Sequence, residues 1–188
     1  MIYLVNELLD ISRIEGGKEL QLIKSEGDLL EVVNNVLEEQ KGLISQKSLK
    51  LNLDTEGKTS LMVNMDKEKI RQGLTNLVDN SAKYGKRNGS ITASLYKPDG
   101  KHILVEITDH GIGIPVQDLP RIFDPFFTGE NGRLAPESTG MGLFLAQRIC
   151  AALGHTITAQ SQLGQGASVT ITFSTASITH GVDAVVWP

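Results

Sequence analysis

Two amides and an amine recur at helical spacing in "TNLVDNSAKYG": Asn76, Asn80 and Lys83 lie at i, i+4 and i+7, so one polar stripe runs along the segment. A neutral carboxamide oxygen suits a Mg²⁺ ion that keeps its waters and takes its other oxygens from phosphates. Lys83 would add a point charge for the same phosphates. Alone, such a stripe is most often a solvated helix face. A second feature is "DHGIGIP", where Asp109 follows the apolar run Ile103, Val105, Ile107 and precedes Gly111 and Gly113. Asp109 shares the parity of that run, so its carboxylate points to the buried side and needs a donor. The exocyclic amine of adenine is such a donor, and bare glycines would let a flat base lie on the backbone. Guanine would present a carbonyl to the carboxylate and be rejected. The competing reading is a turn that Asp109 caps through its own backbone. In a third stretch, "STGMGLFLAQ", Gly140 and Gly142 precede a helix whose free N–H groups and positive end form an anion site.

These residues must be carried by elements. The Asn/Lys stripe lies on a helix opened by Asp66, with Ile70, Leu74, Leu77 and Val78 on its apolar face, ending before Gly85. Asp109 ends the second strand of a hairpin, "SITASLYK" and "HILVEITD", turned by "PDG". The helix "MGLFLAQRICAAL" closes on Gly154, and "HTITAQS" and "SVTITF" form a last hairpin around "LGQGA". Upstream, "SEGDLLEVVNNVLEEQKGLISQ" reads as an amphipathic helix with Leu29, Val33, Val36 and Leu37 inward. "LKLNLD" and "SLMVNMD" read as a pair of strands. Helices and antiparallel hairpins mixed in this order predict an α+β fold: a two-layer α/β sandwich, a mixed sheet with helices on one face.

Composition narrows the function. With 188 residues, 40% hydrophobic, the chain can bury a core, and a net charge of −4 speaks against a duplex nucleic-acid binder. No apolar run approaches the roughly 20 residues that span a bilayer. The single Cys150 sits in an apolar helix, and the four histidines have no metal-ligand spacing. A cytoplasmic fragment without membrane contact is the expectation, a membrane anchor for the parent being left open. A dinucleotide fingerprint fails because Val116 stands where its third glycine belongs, and "GKT" at 57–59 lacks the upstream glycine of a P-loop.

In the order asparagine helix, "DHGIGI", "FDPFF", "TGMGL", "GQGAS", the chain resembles the catalytic ATP-binding domain of bacterial sensor histidine kinases, of the GHKL superfamily with its Bergerat fold, over about residues 25–174. The resemblance implies ATP and Mg²⁺ as ligands, with Asn80 on the metal, Asn76 and Lys83 near the phosphates and Tyr84 by the adenine. Asp109, Gly111 and Gly113 would form the first glycine box, Phe123 and Phe126 the phenylalanine box, and Gly140 and Gly142, flanked by Thr139, Met141 and Leu143, the second glycine box. Residues 127–139 would be the ATP lid, with Arg133 a phosphate contact. His110, Ala167 and Thr128 depart from the usual pattern, which has Asn or Thr, Thr, and Arg or Lys at these places. Residues 1–24 are similar to the end of the second helix of a dimerisation and phosphoacceptor hairpin plus linker. Residues 25–176 would then be the kinase domain and 177–188 a tail.

Hydrolytic members of the superfamily place a glutamate where this chain has Asn76. An amide cannot act as general base at neutral pH, so phosphoryl transfer to a protein histidine is the favoured reaction, with an ATPase or a non-catalytic ATP-binding regulatory module as alternatives. None of the four histidines has the setting of a phosphoacceptor, so the substrate would be a histidine on a helical hairpin of a dimeric parent. A response regulator would act downstream.

Overall fold

The computed structural model describes residues 20–130, 132 and 138–174. The expected helix within residues 1–15, Arg133 and the tail lie outside them. The chain enters through β1 (Ser25–Asp28), then α1 (Leu29–Gln46), β2 (Lys50–Asp54), β3 (Met62–Met65) and α2 (Lys67–Tyr84). The hairpin β4 (Ser90–Tyr96) and β5 (His102–Asp109) follows, then a 3₁₀ turn at Leu119–Arg121, α3 (Gly142–Leu153), β6 (Thr156–Gln162) and β7 (Gly166–Ser174).

Five strands form the main sheet in the order β2-β4-β5-β7-β6, antiparallel except for the parallel pair β2 and β4. The sheet is therefore mixed, as expected. The strands at 50–54 and 62–65 do not pair with each other, however. β2 joins the main sheet beside β4, and β3 forms a separate two-stranded ribbon with β1, Ser25 opposite Met65. The four residues of β1 were read as the start of a helix. They are extended because Asp28 caps α1, accepting from Leu30 N–H at 3.0 Å and from Leu61 N–H across the ribbon at 2.9 Å.

β4 and β5 alternate strictly between buried and half-buried side chains, which fixes their register against the helices. Ile91, Ala93, Leu95, Ile103, Val105 and Ile107 meet Leu29, Val33, Leu74, Leu77, Leu145 and Ile149 in one continuous core closed by Phe173. Each large buried side chain there contributes about 1.5–3 kcal/mol. α2 and α3 run antiparallel: a Cβ on Gly73 would lie 3.9 Å from Ala146, and one on Gly142 3.4 Å from Asn76. The C-terminal half of α2 and the start of α3 thus face the same end of the sheet, where β5 delivers Asp109. Gly154 ends α3 in the left-handed conformation, φ 80°.

Candidate functional site

A cleft of about 230 Å³ opens at that end, between the C-terminal half of α2, the end of β5, the loop after it and the first turn of α3. α2 brings Asn76, Asn80, Lys83 and Tyr84 to its wall, α3 brings Gly142 and Leu143, and Thr139 and Gly140 come from the approach to α3. The helical spacing of the Asn/Lys stripe is therefore realised on one wall. Among the described residues the Nδ2 of Asn76 is buried and has no hydrogen-bond partner, an arrangement that costs free energy unless a further acceptor is supplied. At the start of α3, Met141 gives no side-chain cap, and Gly142 and Leu143, whose N–H groups have no acceptor within the helix, line the same cleft. An amide donor and a helix N-terminus converge where an anion would sit.

Asp109 also lines the cleft, 8% exposed. Its carboxylate is not waiting for a ligand. Oδ1 accepts from Gly111 N–H at 2.8 Å, and the Ala167 backbone and the Ser81 hydroxyl also bond the group. The turn-capping reading is thus realised together with the cleft-lining one, since an ionised carboxylate has about four acceptor positions. Burial pushes its pKa up, and these hydrogen bonds oppose the shift without cancelling it.

The glycines also have a structural reason of their own. Gly111 is bare because a Cβ would lie 2.3 Å from the Tyr84 carbonyl, which also accepts from Ile112 N–H at 3.1 Å. Gly113, at φ 70°, would clash at 2.2 Å with the Gln162 carbonyl. Gly140, also at φ 70°, would meet the Phe126 backbone at 2.5 Å. At each of these three the close approach of the protein's own backbone already leaves no room for a side chain. Gly142 alone among them stands in ordinary contact distance of a cleft side chain, Asn76.

Other expected positions fall outside the cleft wall. Phe126 is 62% exposed and holds φ 62°, Phe123 is half-buried away from the cleft, and Met141 is packed at 4% exposure under the start of α3. The ring that does reach the cleft is Phe127, with the Arg121 guanidinium 4.5 Å from its centroid. Thr128 lines the cleft and its carbonyl accepts from Gly132 N–H at 2.9 Å. Three residues not singled out in the sequence also matter. Asp79 and Asp118 reach the cleft, and Asp118 Oδ2 accepts from Glu130 N–H at 3.1 Å. Ser138 shares a 2.7 Å hydrogen bond with the Tyr84 hydroxyl. Ser138 had no sequence signal, whereas Asp79 is simply the neighbour of Asn80 on α2. Among the described residues no group of three or more His, Cys, Asp or Glu could hold a metal ion. No helix among them is long and apolar enough to cross a membrane.

The sequence matches the histidine kinase-, DNA gyrase B- and HSP90-like ATPase family over residues 65–177. It is 31% identical over 181 residues to the sensor histidine kinase YxdK of Bacillus subtilis (strain 168), covering 88% of this chain and 54% of that protein. The chain thus spans about half the length of that relative. The structure of the Acinetobacter baumannii histidine kinase AdeS superposes with a TM-score of 0.73 at 30% identity, covering 93% of this chain and 78% of that one. The histidine kinase ThkA, solved in complex with the response regulator protein TrrA, shares the fold with a TM-score of 0.73 at 24% identity, covering 92% of this chain and 47% of that one. With a mixed sheet, paired helices and a cleft built from the asparagine helix and the glycine loops, the chain belongs to the histidine kinase-, DNA gyrase B- and HSP90-like ATPase family and is similar over most of its length to sensor histidine kinases.

Proposed function

We propose that the domain binds ATP with Mg²⁺ and passes the γ-phosphoryl group to a histidine on a separate helical hairpin. The observation that carries this reading is the orphaned Asn76 amide beside the uncapped start of α3: a donor pair for phosphate oxygens, with no carboxylate at that position to activate water. Asn80, one turn further along α2, would give the single protein oxygen to Mg²⁺, which when bound neutralises charge on the phosphates. Lys83 supports the phosphates, and Asp109 accepts from the adenine amine with its remaining acceptor capacity. Tyr84 forms the wall by the base. Arg133 and the rest of residues 127–139 would cover the nucleotide. Residues 1–24 would lead in from the phosphoacceptor hairpin. By analogy with the ThkA complex, a response regulator would receive the phosphoryl group next.

A second reading has one observation behind it. Asp79 places a carboxylate in the cleft beside Asn80, and a carboxylate so placed could serve as base for water. The test is incubation with γ-labelled ATP and Mg²⁺, with and without an added phosphoacceptor hairpin, following acid-labile phosphoprotein and free phosphate together. Labelled hairpin with little free phosphate is the expected result. Free phosphate without hairpin, lost in Asp79→Asn, would replace the kinase with an ATPase. Binding of ATP without either product would leave a regulatory nucleotide sensor.

A further inference from the structure

The end of the molecule remote from the cleft holds a joint between two parts of the chain far apart in sequence. Asp66 is 6% exposed, and its two carboxylate oxygens serve different partners. Oδ1 accepts from Lys69 N–H at 3.0 Å and caps α2. Oδ2 accepts from Ile23 N–H at 2.7 Å, 43 residues away, in the stretch that leads into β1. This stretch is seated on the domain. Leu20 and Leu22 pack against the core while the Ile23 side chain points out, 83% exposed. Lys24 lies near enough to His155, beyond the end of α3, for its charge to act on the imidazole. Because α2 and α3 are antiparallel, the ends touched by residues 20–24 are opposite to the ends that build the cleft.

We propose that Asp66 is a positioning residue that couples the segment preceding the domain to the helix carrying Asn76, Asn80 and Lys83. Residues 20–24 move with the ATP domain as one body, and a force applied to them reaches the cleft along the axis of α2. The helix is suited to this, because its buried face from Ile70 to Val78 is locked into the core and it has no break between Asp66 and Tyr84. Ligand binding at one end must then alter the bond at the other, since coupling between sites is reciprocal.

The inference rests on the proposed nucleotide site and is tested with the whole chain. Asp66→Ser keeps an N-cap oxygen for Lys69 but has no second oxygen for Ile23. Ile23→Pro removes the donor and leaves both Asp66 oxygens in place, at the cost of fixing the local backbone. The expected results are slow amide exchange at Ile23 in the wild type, further slowed by Mg²⁺ with a non-hydrolysable ATP analogue, and unprotected exchange in Asp66→Ser. Each variant weakens affinity for the analogue about fivefold, and the double variant is no weaker than either single one. Additive losses, or affinities equal to wild type, overturn the proposal, as does Ile23 exchange that ignores the analogue in a wild type that binds it. A wild type that binds no analogue overturns the nucleotide reading as well, so the two failures are told apart by the binding isotherm.

Discussion

In the proposed reaction Asn76 and Asp109 divide the chemistry of the cleft between them. Asn76 sits where an acid would turn the site toward hydrolysis, so Asn76→Glu is expected to raise free phosphate release from ATP by about tenfold or more, general base catalysis being worth at least that much. A phosphate-release assay on the isolated domain checks it; unchanged release would mean that water has no productive position there. Asp109→Asn replaces an acceptor with an amide donor facing the adenine amine. Loss of a charge-assisted hydrogen bond of about 1.5–3 kcal/mol predicts roughly ten- to hundredfold weaker ATP binding by calorimetry, with the fold retained because Oδ1 can still accept from Gly111. The raised pKa of Asp109 gives this contact a pH dependence. Protonation removes the acceptor, so ATP affinity falls as pH drops and begins to do so above the ordinary carboxylate range. Asn80→Ala is expected to spare metal-free nucleotide binding and abolish transfer, which the labelled-ATP assay reads directly.

At the scale of elements, the glycines of the loops separate into those where a side chain would strike backbone and Gly142, where it would not. Gly113→Ala forces a Cβ at φ 70° to within 2.2 Å of a backbone carbonyl and should cost about 2 kcal/mol or more, seen as a lower melting temperature. Gly142→Ala has room at 3.4 Å from Asn76 and should leave the melting temperature intact while lowering nucleotide affinity, because its methyl group occupies the phosphate approach. Equal melting losses in both would refute the division. The sequence revealed the elements well where periodicity was strong. α2 with its Ile70–Leu74–Leu77 face, the β4 and β5 hairpin and the Gly154 stop on α3 stand as read. It failed where pairing is nonlocal. Nothing in "LKLNLD" or "SLMVNMD" says that the first joins β4 in parallel and the second joins residues 25–28, because a strand's partner is set by the surrounding packing and not by its own alternation. The site was legible as a set of side chains on α2 and at the end of β5. The reasons for the bare glycines were not, since Tyr84 and Gln162 approach them only in three dimensions.

Across the whole molecule, stability should respond to a group outside the cleft. His155 is buried against Phe173, ring centroids 4.7 Å apart. Burial first, and the charge of Lys24 second, lower its pKa from 6.5 to about 4. The unfolded chain therefore takes up a proton below about pH 6.5 that the folded chain refuses until about pH 4. Stability falls through that window by up to about 1.4 kcal/mol per pH unit and levels off below it. His155→Leu should flatten this slope in chemical denaturation at pH 7 and pH 5; a slope identical to wild type would show that other groups carry it. Asp109 acts in the opposite sense, its raised pKa adding stability on acidification, so the comparison is between variant and wild type at each pH. The steric demand on Gly111, Gly113 and Gly140 also bears on how descendants of this architecture would diverge. A duplicate that had stopped using ATP would still be held to those glycines by its own folding, and would look intact to any reader of loop motifs. Its loss of activity would be written elsewhere, in the amides of α2 that line the cleft.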